Sequence, residues 1–147
     1  MIIKEVKQNK KKYLSLLLLA DEQENMIDKY LERGTMYILI DKNIVISECV
    51  VTNEDKILEI KNIATVPDYQ GQGYAKKLID FLCERYKTQY KFLQVGTGDS
   101  PLTIPFYEKC GFKRSHRVHN FFIDNYDHPI VECGKRLIDM IYLKKEI

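Results

Sequence analysis

Apolar residues along the chain fall into short segments whose period changes from element to element. Met1 to Val6 reads as a first strand, and Tyr13 to Ala20 as a short, very apolar helix. Met26, Ile27, Tyr30 and Leu31 then recur at helical spacing, with Gly34 where a glycine that ends a helix belongs. Two strands are predicted next, Thr35 to Ile40 and Ile44 to Thr52, joined by a polar turn at Asp41-Lys42-Asn43. A second turn, Asn53-Glu54-Asp55, leads into a long strand from Ile57 to Val66. Strands this close in sequence form an antiparallel meander.

The period then shifts. Ala75, Leu78, Ile79, Leu82, Cys83 and Tyr86 form one apolar stripe, while Lys76, Lys77, Asp80, Glu84 and Lys87 take the opposite face, which predicts an amphipathic helix. Phe92 to Val95 follows as a short buried strand. A strand, a helix and a strand joined by so long a crossover imply parallel pairing with a right-handed connection. Ser100 is placed as an N-cap and Pro101 at the first position of a short helix ending at Cys110-Gly111. The rest predicts a strand near Arg117 to Ile123, a polar loop from Asp124 to Lys135 and a last strand near Leu137 to Leu143. The pattern gives a mixed sheet with helices packed on it, an α/β or α+β sandwich rather than a doubly wound fold.

At 147 residues, with no Pro/Gly/Ser-rich linker and no repeat, residues 1–147 are expected to form a single domain with one substantial core. A hydrophobic fraction of 45% with 30% charged residues points to a globular, soluble chain. The 23 basic and 21 acidic residues are too evenly balanced to advertise nucleic-acid or membrane binding. The one basic run, Lys10-Lys11-Lys12, is read as a solvated helix start. The longest apolar run, Leu16 to Ala20, is far below a membrane span, and the start of the chain lacks a secretory leader pattern. Cys49, Cys83, Cys110 and Cys133 show no paired spacing and read as reduced thiols of a cytoplasmic protein. His116, His119 and His128 make no metal-ligand spacing with them, so no metal is expected.

Candidate chemistry centres on Asp68-Tyr69-Gln70-Gly71-Gln72-Gly73-Tyr74-Ala75-Lys76-Lys77, between a strand and the amphipathic helix. A loop at a helix N-terminus offers unpaired N–H groups and the positive end of the helix dipole to an anion. Gly71 and Gly73 let the backbone bend and approach a ligand. A dinucleotide fingerprint is excluded: Lys76 stands where its third small residue belongs, and no acid follows at a second strand end. A P-loop is excluded as well, for want of Gly-Lys followed by Ser or Thr.

Gln70-Gly71-Gln72-Gly73-Tyr74-Ala75 fits Q/R-x-x-G-x-G/A, the pyrophosphate loop of acetyl-coenzyme A-dependent N-acetyltransferases. With Phe106-Tyr107-Glu108-Lys109-Cys110-Gly111-Phe112, which looks like the family's Y-E-K-x-G-F helix ending, the chain resembles the GNAT superfamily, most strongly from Ile57 to Phe112. Its tail and Ser15 to Asp21 look like a bacterial branch of small proteins sometimes labelled indole-acetate acetyltransferases, although indole-acetate has no amine nucleophile. The resemblance implies a mixed, mostly antiparallel sheet of about seven strands, helices on both faces, and a central parallel pair that splays apart. Acetyl-CoA would be the co-substrate. Backbone groups of Ala64, Thr65 and Val66 would meet its pantetheine arm, and Gln70, Gly71, Gln72, Gly73, Tyr74, Ala75 and Lys76 would wrap its pyrophosphate. Many members carry Asn where this chain has Ser100, which either supplies a weaker cofactor contact or only caps the helix.

The chemistry asks for a proton acceptor, because the neutral form of a lysine-like amine lies ~4–5 kcal/mol uphill at neutral pH. Glu59, eleven positions before Gln70 on a strand of apolar neighbours, is the candidate base, where apolar surroundings would raise its pKa; pairing with Lys61 is the alternative. Glu48 is a weaker candidate. Tyr107 would donate to the departing thiolate, as the tyrosine of this helix does in the family. The reading is an N-acetyltransferase that transfers acetyl to a primary amine of a small molecule by direct attack in a ternary complex. The segment Phe121 to Ile130 carries acids and aromatics suited to a cationic amine, though turn chemistry explains them equally well. A protein N-terminal or lysine acetyltransferase and a non-catalytic acyl-CoA-binding module are the alternatives. Either a monomer or a homodimer is compatible with the sequence.

Overall fold

The computed structural model describes residues 1–147. The strands are β1 (Ile2–Val6), β2 (Thr35–Asp41), β3 (Ile44–Glu54), β4 (Ile57–Thr65), β5 (Phe92–Gly98), β6 (Lys113–Val118), β7 (Val131–Glu132), β8 (Lys135–Arg136) and β9 (Met140–Glu146). The helices are α1 (Leu14–Ala20), α2 (Glu24–Ile27), α3 (Tyr74–Tyr86), α4 (Ile104–Lys109) and α5 (Phe121–Asn125). Seven strands form one sheet in the order β1-β2-β3-β4-β5-β9-β6, and β7 pairs only with β8. The sheet is antiparallel except for β4 against β5. This is the mixed sheet expected from the period changes.

Alternation along the central strands sends side chains to two cores, one on each face of the sheet. Leu78, Ile79 and Leu82 of α3 pack on Leu39, Cys49, Val51, Leu58, Leu93 and Leu143. On the opposite face Leu17, Ile27 and Leu31 pack on Met36, Ile38 and Val50. Both meander turns place two consecutive non-glycine residues at positive φ, Lys42-Asn43 and Asp55-Lys56. That is the turn hand that matches strand twist.

Six expectations are corrected. The helix through Leu31 is short: α2 spans four residues and irregular turns continue to Arg33. Carbonyls at the end of those turns are satisfied by Lys10, whose Nζ donates to the oxygens of Leu31 (2.9 Å) and Gly34 (2.7 Å). Lys10 is therefore buried rather than a solvated start, its ammonium closing the turns that follow α2. Gly34 is a glycine for space and not for handedness. It has no positive φ, and a Cβ there would lie 2.8 Å from both the Tyr30 carbonyl oxygen and Val50 Cγ1.

The helix after β5 starts at Ile104 rather than Pro101. Ser100 still caps a turn, its Oγ accepting from the Leu102 amide at 3.2 Å, one turn before the α-helix begins. Near the C-terminus, β6 ends at Val118, and Asn120 at φ 58 turns the chain into α5, where a strand to Ile123 was expected. Every residue of β6 is exposed at the sheet edge, so its sequence carries no alternation to mark it. The last strand runs from Met140 to Glu146 instead of starting at Leu137. It is an interior strand between β5 and β6, and its Lys145 Nζ donates to the Cys110 carbonyl at 2.7 Å.

Candidate active site

Parallel pairing of β4 and β5 covers only Leu58–Leu93, Glu59–Gln94 and Ile60–Val95. One residue later Lys61 is the extra residue of a bulge: Val50 faces Asn62 while Val51 faces Ile60. A bulge bends its strand and increases its twist. From Lys61 to Thr65, β4 therefore runs away from β5 with that edge unpaired, while β3 still holds its other edge as far as Ser47–Thr65. Ser47 secures the far end, its Oγ donating to the Ala64 carbonyl at 2.7 Å and lying 3.0 Å from Thr65 Oγ1. Two strands of one sheet thus part at a fixed point and leave backbone donors and acceptors facing the gap.

The glycine loop sits at the mouth of that gap. Gly71 (φ 76) and Gly73 (φ 88) hold left-handed backbone that other residues adopt only at a cost, and a Cβ on either would meet nothing within 4 Å. Side chains brace the loop from within: Gln70 Nε2 donates to the Thr65 carbonyl (3.0 Å) and Gln72 Nε2 to that of Asp68 (3.3 Å). Gly73 supplies no side-chain cap to α3, a helix of 13 residues. The first amides of α3 therefore face open space, as anion binding requires. Lys76 does not reach back over the loop, because its ammonium lies 2.8 Å from Asp80 one turn further on.

The second sequence signature has a physical function in this geometry. At the end of α4 the Phe112 amide donates to the Tyr107 carbonyl (3.0 Å) and the Gly111 amide to that of Glu108 (3.0 Å), with Gly111 at φ 97. This is the Schellman ending, and its hydrophobic contact is the Tyr107–Phe112 ring pair, 5.6 Å between centroids. The motif that closes the helix also fixes the ring of Tyr107. That ring is 7% exposed, and burial raises the phenol pKa, so the hydroxyl keeps its proton.

Two cavities meet at this tyrosine. One, about 340 Å³, runs between the parted end of β4 and the loop, lined by Ala64, Thr65, Gln70, Gly71, Gly73, Tyr74 and Ala75. Those residues are among the ones the sequence selected. Val66, Gln72, Lys76 and Ser100 are not part of that lining. The other cavity, about 520 Å³, opens on the far side between α1, the strand ends and the segment from Phe121 to Glu132. Leu19, Ile63 and Tyr107 line both.

The family model described as "Acetyltransferase (GNAT) domain" matches residues 32–114. The chain is 34% identical over 131 residues to the Bacillus subtilis (strain 168) protein named uncharacterized N-acetyltransferase YvbK, covering 87% of this chain and 84% of that one. The chain belongs to the GNAT acetyltransferase family. A GNAT family acetyltransferase from Elizabethkingia anophelis, solved with acetyl-CoA bound, superposes with a TM-score of 0.94 at 36% identity over 99% of this chain and 97% of that one. A protein described as IAA acetyltransferase from Bacillus cereus ATCC 14579 gives a TM-score of 0.91 at 36% identity, covering 99% of both chains.

In this GNAT domain the polar groups on the wide-cavity side are ordered by contacts that sequence spacing does not reveal. Glu59 is 4% exposed and its surroundings are not apolar: Oε1 accepts from Gln94 Nε2 at 2.6 Å, and Oε2 lies 2.8 Å from Lys61 Nζ. Both oxygens are engaged, which leaves only their remaining lone pairs open to a further donor. Glu48 is fully buried with no donor to either oxygen, and desolvation pushes its carboxyl pKa well up. It does not line either cavity.

Asn62 Nδ2 donates to the Leu17 carbonyl and to Tyr30 Oη, each at 3.0 Å. Tyr30 in turn donates to Asp21 Oδ2 (2.9 Å), and Tyr126 donates to Asp21 Oδ1 (2.7 Å). Asp21, Tyr30 and Asn62 were absent from the sequence candidates. The one available signal was Asn62 itself, an amide between Ile60 and Ile63 of a strand.

Proposed function

We propose that this acetyltransferase binds acetyl-CoA in the narrow cavity and transfers its acetyl group to a primary amine of a small molecule held in the wide one. The carrying observation is the junction: two cavities, one floored by a strand edge and a glycine loop, the other walled by aromatics and acids, share the buried Tyr107. The narrow cavity fits a diphosphate-bearing thioester in three respects. Its loop has room at Gly71 and Gly73, the start of α3 has free amides, and the β4 edge beyond Ile60 can pair with the amides of a pantetheine arm. Ala64 and Thr65 offer that edge, whereas the amide and carbonyl of Val66 are bonded to Ile46 and Tyr69; with the Gln70 amide bonded to Pro67, residues 71–76 offer the diphosphate amides.

The amine nitrogen attacks the thioester carbonyl carbon, a C–N bond forms, and the C–S bond breaks with its electron pair left on sulfur. Tyr107 donates a hydrogen bond to that sulfur. Its raised pKa makes it a steady donor, while complete proton transfer to a thiolate, ordinarily near 8.5, is favourable only if the sulfur is desolvated as well. The proton released by the amine passes to Glu59, directly or through water. Ser100 serves as the cap of the turn before α4. A cavity of about 520 Å³ is in the range of small-molecule sites, which favours a small acceptor over a protein tail. The four free thiols suit a reducing, cytoplasmic setting.

Release of free thiol from acetyl-CoA across a panel of amines, with calorimetry of CoA binding, tests the assignment. Tyr107→Phe is expected to slow turnover by about 10²-fold with CoA affinity unchanged. A variant of undiminished rate removes the donor role. Glu59→Gln should lower the acid limb of the pH–rate profile, and an identical profile would remove Glu59 as proton acceptor.

A further inference from the structure

Buried or half-buried carboxylates in proteins are normally met by a cation or by enough donors to replace water. Asp21, on the wall of the wide cavity, has donors but no cation. Tyr30 and Tyr126 donate to its two oxygens, the Gln23 backbone adds a third bond, and no lysine, arginine or histidine acts on it. A carboxylate has about four lone-pair positions, so one remains. The hydroxyl of Tyr30 cannot turn away: its oxygen receives a bond from Asn62, which commits its proton to Asp21. Burial raises the phenol pKa of both tyrosines, which keeps them donors.

The cations that reach the same cavity are largely spent elsewhere. Arg33 lies 2.7 Å from Glu54 and Lys61 2.8 Å from Glu59, leaving Lys29 on exposed surface at the rim. Asn62, 3% exposed and also lining the cavity, has a buried Oδ1 without a donor, so the polar groups behind Asp21 are not fully paired. Around these groups stand Phe121, Phe122, Tyr126 and Tyr142, which offer apolar and π surface.

We propose that Asp21 is the acceptor-recognition residue of the wide cavity: it receives the ammonium of a cationic substrate with an apolar or aromatic body and turns away anionic molecules such as sugar phosphates and free carboxylates. The proposal rests on the wide cavity being the acceptor site. Leu19 lines the junction and Asp21 is two residues further along, within about 7 Å between Cα atoms. Asp21 therefore stands near the junction of the two cavities. The uncompensated charge of Asp21 selects for a cation, and the two tyrosines fix where that cation sits.

Calorimetry on the CoA-loaded protein with three probes that share one aromatic body separates charge from shape: tryptamine (cation), tryptophol (neutral) and indole-3-acetate (anion). Tryptamine is expected to bind at least about tenfold tighter than tryptophol, with indole-3-acetate the weakest. Asp21→Asn should erase that preference while leaving tryptophol and CoA affinities as they were. Tyr126→Phe, which keeps the charge, should give a smaller loss and serves if Asp21→Asn folds poorly. Equal binding of all three probes, binding of none, or a preference that survives Asp21→Asn overturns the proposal. Failure of CoA itself to bind would overturn the acetyltransferase assignment of the narrow cavity, a separate readout in the same experiment.

Discussion

Glu48 shows how a single residue can set the pH response of the whole fold. No donor reaches its oxygens, so the native state holds it as the neutral acid, with a carboxyl pKa well above the ordinary value of about 4.3. Strand register makes it a diagonal neighbour of Asn62 on the same face: Glu48 faces Ala64 and Val50 faces Asn62. Linkage fixes the sign. The unfolded chain releases this proton above its ordinary pKa while the native state keeps it, so the contribution of this group to stability is greatest below about pH 4.3 and falls as pH rises toward the native pKa, by on the order of 1 kcal/mol per pH unit. Glu48→Gln should therefore gain stability relative to the wild type as pH rises above 5 in urea denaturation. A difference that stays constant over that range would mean Glu48 is ionised in the native protein.

The sequence named Glu48 only as a reserve base and could not show its isolation, because a carboxylate on a strand looks the same whether or not a donor faces it. Tyr107 was legible for the opposite reason. Its position follows from a local helix ending, six residues long, whose hydrogen bonds and ring contact are all near neighbours.

Among the elements, two glycines separate two kinds of constraint. Gly111 stands at φ 97 in the cap of α4, where an L side chain costs about 1–2 kcal/mol of backbone strain. Gly34 has ordinary backbone but no room, and overpacking of that kind costs about 1–3 kcal/mol. Both Ala variants should lose stability in chemical denaturation by these amounts. Only Gly111→Ala should also reduce turnover beyond what its stability explains, since its cap orients Tyr107. Equal activity of the two would separate the cap from the chemistry. The sequence placed both glycines at helix ends; it was right for Gly111 and misread Gly34, whose neighbours Val50 and Val51 come from a different strand.

At the scale of the whole molecule, a ligand that spans the β4–β5 gap should tie together segments that otherwise meet only through the sheet. CoA at about 100 times its Kd is expected to stabilise the fold by about 2.7 kcal/mol, a rise of about 5–11 °C in Tm for a chain of this length. An unmoved Tm at saturating CoA would contradict binding to the native state. The far cavity is closed by contacts between residues 21–23 and 126–128: Tyr126 to Asp21, the Asp127 amide to Gln23 Oε1 at 3.0 Å, and His128 Nε2 to Glu22 at 2.8 Å. One wall of the cavity thus joins segments about a hundred residues apart in sequence.

The sequence alone determined what is decided within a few turns or one crossover. It set the strand–loop–helix with its free amides, the α3 stripe, the helix ending at Cys110-Gly111 and the parallel sense of β4 and β5. Those follow from backbone preference and hydrophobic period, which act on neighbours. The tertiary structure decided how polar residues far apart were paired: Asn62 with Leu17 across 45 positions, Gln94 with Glu59 across 35, and Tyr126 with Asp21 across 105. It also decided where the exposed strand β6 ends and why Lys10 is inside. A polar group carries no mark of its partner, and the energy that makes it a clamp, a cap or an isolated acid arises only when folding removes water and brings, or fails to bring, that partner within reach.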